Sequence, residues 1–179
     1  MGMRMPGWYD ILSLSDLDGR QEDEQGIMRS RTVLQGLIDA EIEKGIPAER
    51  IVLGGFSQGG AMSLVAGLSY KRKLGGIFGL SCWLLLQGNS KYMDLVKETS
   101  NANEKTKVFM GHGDADQVVQ YKWGQKTAEI LKKEGWDVDF RTYRGLPHSA
   151  DPEEIDDLEK YLDKQIPPLG DAKLEKESL

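Results

Sequence analysis

Arg50-Ile51-Val52-Leu53-Gly54-Gly55-Phe56-Ser57-Gln58-Gly59-Gly60-Ala61 is the stretch on which the reading of this chain turns. Ile51 to Gly55 is a short apolar run that reads as a buried strand, and the small-residue stretch Gly59 to Leu68 reads as a helix. Phe56-Ser57-Gln58 is then a sharp turn between them. Gly55-Phe56-Ser57-Gln58-Gly59 has the G-x-S-x-G spelling of a strand-to-helix bend that holds a serine hydroxyl clear of the backbone. Residues flanking the serine in so tight a turn need almost no side chain, and glycine meets that need on both sides. A serine at a helix N-terminus also stands beside unpaired backbone N–H groups, that of Gln58 included, which can stabilise an oxyanion forming on a substrate carbonyl. The plainer alternative is a glycine-rich turn with a solvated serine. Five-residue patterns also arise by accident, so the context has to decide.

Upstream, Ile27, Leu34, Leu37, Ile38 and Ile42 recur at helical spacing with Glu24, Arg31, Asp39 and Glu43 between them, which predicts an amphipathic helix. Gly45 suits its left-handed cap, and Pro47 prevents continuation. Downstream, Gly76 to Ser81 and Lys107 to Gly111 read as strands and Tyr121 to Lys133 as a helix closed by Gly135. Val138, Phe140 and Thr142 alternate as in a strand with one covered face, and a last helix starts near Pro152 with Ile155, Leu158, Leu162 and Ile166 on one side. Repeated strand and helix predict an α/β domain over residues 1–169: a doubly wound, mostly parallel sheet with helices on both faces. The charged stretch 170–179 lacks aromatics and is expected to be a disordered tail.

A serine hydroxyl is a poor nucleophile until a base removes its proton, and the chain has 2 histidines. His148, in Gly145-Leu146-Pro147-His148-Ser149, lies between the last strand and the last helix, where a loop can reach across the strand ends. His112 directly follows an apolar strand and is expected to pack there or bond the backbone. His148 is therefore the better base. An acid must hold its tautomer, and Gly111-His112-Gly113-Asp114-Ala115-Asp116 offers two. Asp116 is preferred, because Asp114 can organise the turn through its own backbone. The residues alone separate the pair weakly. The chain order Ser57, Asp, His148 is that of an α/β-hydrolase.

Composition excludes other classes. The 179 residues are 39% hydrophobic, enough for one domain with a sizeable core, and the net charge of -6 argues against nucleic-acid binding. One cysteine, Cys82, excludes an internal disulfide and fits a reducing compartment such as the cytoplasm. The longest apolar stretch, Trp83 to Leu86, falls far short of the roughly 20 residues of a membrane-spanning helix. A soluble protein is expected. Cys82 itself reads as inert packing in an apolar setting.

Taken together, Met5-Pro6-Gly7-Trp8-Tyr9-Asp10, Gln21-Glu22-Asp23-Glu24, the Arg50 to Ala61 stretch, Ser81-Cys82-Trp83-Leu84, the Gly111 to Asp116 stretch and Pro147-His148-Ser149 resemble the acyl-protein thioesterases and related small carboxylesterases or lysophospholipases. The spelling is nearest to fungal members. The resemblance implies a Ser57-His148-Asp116 triad, supporting Asp116 over Asp114, with the Gln58 N–H as oxyanion donor. It implies hydrolysis of palmitoyl-type thioesters on protein cysteines, with S-acylated proteins, lysophospholipids or simple esters as substrates, transient contact with a membrane surface, a cytoplasmic and nuclear location, and no cofactor or metal. Trp83 and Leu84 are read as lining an acyl tunnel, with ordinary core as the alternative. Relatives begin with strands and a histidine-glycine loop, the second oxyanion donor, that have no counterpart here. The expectation is an N-terminally truncated chain with weak turnover, whose Ile51 to Gly55 strand is an unpaired edge prone to self-association.

Overall fold

The parallel strands β1 (Val52–Phe56), β2 (Gly76–Leu80), β3 (Val108–Gly113) and β4 (Val138–Tyr143) lie side by side in chain order. They belong to a computed structural model that describes residues 6–12, 21–87 and 91–169. The stretch 170–179, expected to be a tail, lies outside the described residues. Among the described residues five α-helices accompany the sheet: α1 (Glu24–Glu43), α2 (Gln58–Leu68), α3 (Lys91–Glu98), α4 (Tyr121–Lys133) and α5 (Pro152–Gln165).

Strands in this order, joined by right-handed crossovers, carry all their connecting helices on one face. Alternate strand residues Ile77, Val108, Met110 and Val138 accordingly share one core with Leu64 and Val65 of α2, Leu95 and Val96 of α3, and Trp123 and Leu131 of α4. Leu80 and Phe109 point the opposite way and pack with Tyr161 of α5, with Phe78, Leu158 and Leu162 around them. Both faces are apolar because both are covered, the doubly wound arrangement expected from the alternation of elements. β1 is an edge strand, paired only with β2 among the described residues.

α1 begins where the Asp23 carboxylate accepts the Gly26 N–H at 2.9 Å and ends before Gly45, whose φ of 99° is left-handed as its cap requires. It rests mainly on α2 through Ile27, Leu34 and Ile38. One supporting helix needs only a narrow stripe, so Leu37, expected to face inward, is 58% exposed. The short helix α3 escaped the sequence reading, although Tyr92, Leu95 and Val96 have helical spacing. Its eight residues span little more than two turns, too few for a periodicity to stand out. In β4, Thr142, expected on the covered face, is exposed, while Tyr143 turns to the opposite face and is buried there, its hydroxyl donating to Asp157 of α5 at 3.4 Å.

The last helix holds the clearest departure from its pattern. Ile155 is 48% exposed, while Glu154 beside it is fully buried, with neither carboxyl oxygen bonded among the described residues. Asp151 caps the helix by accepting the Glu154 N–H at 3.0 Å, which sets the helix phase so that the glutamate, not the isoleucine, faces β3 at Gly111. Burial first, and the nearby Asp151 carboxylate second, push the Glu154 pKa up to about 7 from the ordinary 4.5. Between these values the folded protein holds a proton that the unfolded chain releases, so this group's contribution to stability falls as pH rises through that window. Glu154→Gln is expected to remove that slope, a difference of about 3 kcal/mol between pH 4.5 and pH 8. Urea unfolding of both proteins across the range measures it.

Candidate active site

At the C-terminal end of β1 the chain turns into α2 on one residue, Ser57, with φ 54° and ψ −124°. A non-glycine residue in this region is strained by about 1–3 kcal/mol and persists only where its surroundings hold it. Here the Ser57 N–H donates to the Leu80 carbonyl at 2.8 Å, and its own carbonyl accepts the Ala61 N–H at 3.0 Å. The bend brings backbone so close that a Cβ on Gly55 would lie 2.6 Å from the Gly59 carbonyl carbon. Glycine is required there by contact, whereas on the other side of the serine, where the reading of the turn supposed the same need, a Cβ on Gly59 would meet nothing nearer than Trp8 Nε1 at 3.8 Å.

Loops at the same end of the sheet deliver the other two side chains. His148, between β4 and α5, places Nε2 3.0 Å from Ser57 Oγ, and its Nδ1 lies 2.7 Å from Asp116 Oδ2. Asp116, 5% exposed, turns its other oxygen to the backbone N–H groups of Val118 and Val119, each donating to Oδ1 at 2.9 Å. That leaves Oδ2 for the imidazole and fixes Nδ1–H on the histidine, so that Nε2 faces the hydroxyl as an acceptor. Phe56 packs its ring 4.7 Å from the imidazole, covering one side of it. Asp114 is elsewhere: its carboxylate accepts the Gly145 N–H at 2.6 Å, holding the loop after β4 rather than its own turn, which was the role weighed for it from sequence.

A family model for phospholipase/carboxylesterase matches residues 1–166 of this chain. The chain belongs to that family. Acyl-protein thioesterase 1 of Gibberella zeae is 54% identical over 171 residues, which are 94% of this chain and 72% of that protein. The Neurospora crassa protein of the same name is 48% identical over 181 residues, covering 99% of this chain and 73% of its own length. Among solved structures, Arabidopsis thaliana SOBER1 superposes with a TM-score of 0.82 at 30% identity, over 92% of this chain and 76% of that one. The resemblance drawn from motifs is borne out, its fungal spelling included, and the fold is that of the α/β-hydrolases.

Within this family member, Trp83 and Leu84 are 1% exposed and lie in the main core, Trp83 edge-on to Trp123 with ring centres 6.1 Å apart. Cys82 packs toward Gly60 in the first turn after Ser57, which brings both residues to the nucleophile's end of the sheet. Complete burial raises the Cys82 thiol far above its ordinary range. A disulfide-exchange reagent such as Ellman's is therefore expected to leave Cys82 unmodified in the native protein and to titrate one thiol after denaturation. Among the described residues no cluster of three or more His, Cys, Asp or Glu could hold a metal, and no helix is long and apolar enough to cross a membrane.

The sequence reading missed the role of the Gln58 side chain. Its Oε1 accepts the Trp8 N–H at 3.0 Å and its Nε2 donates to the Tyr9 carbonyl at 2.7 Å, while Ser30 Oγ donates to the Trp8 carbonyl. The residue proposed as oxyanion donor through its backbone thus ties Trp8 and Tyr9 to the start of α2 through its amide. The two Asp116 donors, Val118 and Val119, were missed as well, since a backbone N–H carries no sequence signature.

Proposed function

We propose that this chain is a serine hydrolase that removes palmitoyl-type acyl groups from S-acylated protein cysteines, and that it also accepts lysophospholipids or simple carboxylic esters. One observation carries the proposal: an unbroken line of hydrogen bonds from Ser57 Oγ through His148 to Asp116, with Asp116 anchored by two backbone N–H groups. As the Ser57 oxygen attacks the thioester carbonyl carbon, its proton passes to His148 Nε2, and Asp116 stabilises the imidazolium that forms. The negative charge on the former carbonyl oxygen is met by the Gln58 N–H at the start of α2. Collapse breaks the carbon–sulfur bond, His148 returns its proton to the sulfur, and the protein thiol leaves an acyl group on Ser57. Water then enters, gives a proton to the same nitrogen and attacks the acyl carbon; collapse breaks the ester bond to Ser57, His148 returns the proton to Ser57 Oγ, and the fatty acid leaves. The reading assigns Trp83 and Leu84 to the acyl side of the site and needs no cofactor. The single cysteine fits action in the reducing cytoplasm and nucleus.

An S-palmitoylated peptide and its oxyester analogue, assayed by mass spectrometry, test this. Release of free peptide thiol, faster than release from the oxyester and lost in Ser57→Ala, is expected. Equal inertness toward both substrates would contradict it and favour a second reading, an acyl- or protein-binding module with little turnover. That second reading draws on the position of β1 at the sheet edge, which also offers a route to self-association.

A further inference from the structure

We propose that His112 is a positioning residue, which holds the Asp116 carboxylate against His148 by pinning Val119. The inference rests on the serine-hydrolase reading, which gives Asp116 its task. His112 lies near the end of β3 with its side chain wholly buried. Its Nε2–H donates to the Val119 carbonyl at 2.9 Å, while the Val119 N–H donates to Asp116 Oδ1 at 2.9 Å. Val119 is thereby fixed at both of its backbone polar groups, one to the strand and one to the acid. The same Nε2 stands 3.6 Å from Asp116 Oδ2, the oxygen that faces His148.

The tautomer follows from the surroundings. A carbonyl faces Nε2, so the hydrogen sits there, and Nδ1 is a buried acceptor with no partner among the described residues. An unpartnered buried nitrogen is a cost that a leucine or phenylalanine of similar size would avoid. The position is therefore poorly explained by packing alone. Burial also lowers the His112 pKa; of the charged neighbours, Asp116 opposes that shift and His148 adds to it. His112 stays neutral, and the Asp116 charge remains available to the imidazolium at position 148. α4 is shaped to this ring: a Cβ on Gly124 would lie 2.3 Å from Nδ1, and the three atoms nearest to it all belong to His112. Tyr121, also on α4, closes the remaining side edge-on, its ring centre 5.8 Å away.

The test compares the parent with His112→Phe, His112→Gln and Gly124→Ala by hydrolysis kinetics and by the low-field proton resonance of the His148–Asp116 hydrogen bond. Phe fills the space without a donor, whereas the Gln amide can reach the Val119 carbonyl. His112→Phe is expected to lower kcat roughly ten- to a hundredfold with little change in KM. It should also move the acidic limb of kcat/KM to lower pH, because a loosened carboxylate supports the imidazolium less. The low-field resonance should weaken or vanish with it. His112→Gln should restore all three. Gly124→Ala, a change that ordinarily strengthens a helix, displaces the ring from outside and should give the Phe phenotype, so the test stands even if His112→Phe fails to fold. A folded variant of either kind with parental kcat, limb and resonance overturns the inference. A parent with the resonance but no hydrolysis overturns the serine-hydrolase reading alone, and the resonance in the variants then decides for His112. A parent without the resonance overturns the inference, since no such bond exists to be held.

Discussion

His148→Ala is expected to lower kcat/KM on any acyl substrate by on the order of 10⁴-fold or more, with little effect on stability. The rate effect is large because three tasks end together. Ser57 loses the acceptor 3.0 Å from its hydroxyl, the leaving sulfur loses its proton donor, and Asp116 is left without a cation to stabilise. The stability effect is small because the imidazole side chain keeps 17% exposure, so that water can enter the vacated space and donate to the Asp116 oxygen that loses its partner. Steady-state kinetics beside a thermal melt check both halves. A fall in rate that merely follows a fall in folded fraction would assign His148 a structural role.

Gly55→Ala is expected to destabilise the fold by about 3 kcal/mol or to prevent folding. The added methyl would meet three backbone atoms: the Gly59 carbonyl carbon at 2.6 Å, its oxygen at 2.8 Å and the Gly60 nitrogen at 2.9 Å. None is the end of a flexible side chain, so relief requires moving the start of α2 away from β1, and Ser57 with it. The natural control is Gly36→Ala in the exposed middle of α1, where a Cβ would meet nothing within 4 Å. There the same substitution is expected to stabilise by about 1 kcal/mol through helix propensity. Chemical denaturation of the two variants, read against the parent, should give shifts of opposite sign.

Much of this arrangement was legible because its signals are local or rare. β1, the bend at Ser57 and α2 follow from one continuous stretch, and α1 from its apolar periodicity and the Gly45 that closes it. The residues now found in line were nameable because a chain with two histidines leaves little choice of base. What escaped depends on tertiary contact. Leu37 and Ile155 fit a helical stripe as well as their buried neighbours do, and only the width and phase of the packing decide which residues turn inward. Glu154 is read as a surface residue until the Asp151 cap turns α5 to bury it. The Val118 and Val119 donors, the Phe56 ring against His148 and the Gln58 hold on Trp8 and Tyr9 join residues distant in sequence, or use backbone atoms that every residue has. Trp83 and Leu84 read equally well as tunnel wall or as core, and an apolar run holds no information to separate the two.

The central claim is that Ser57 is an activated nucleophile in this chain, and a fluorophosphonate reagent tests it without assuming any substrate. The account predicts one covalent adduct per molecule, located by peptide mass spectrometry on Ser57 and absent from His148→Ala. A folded parent protein left unlabelled, or labelled at another residue, would contradict it.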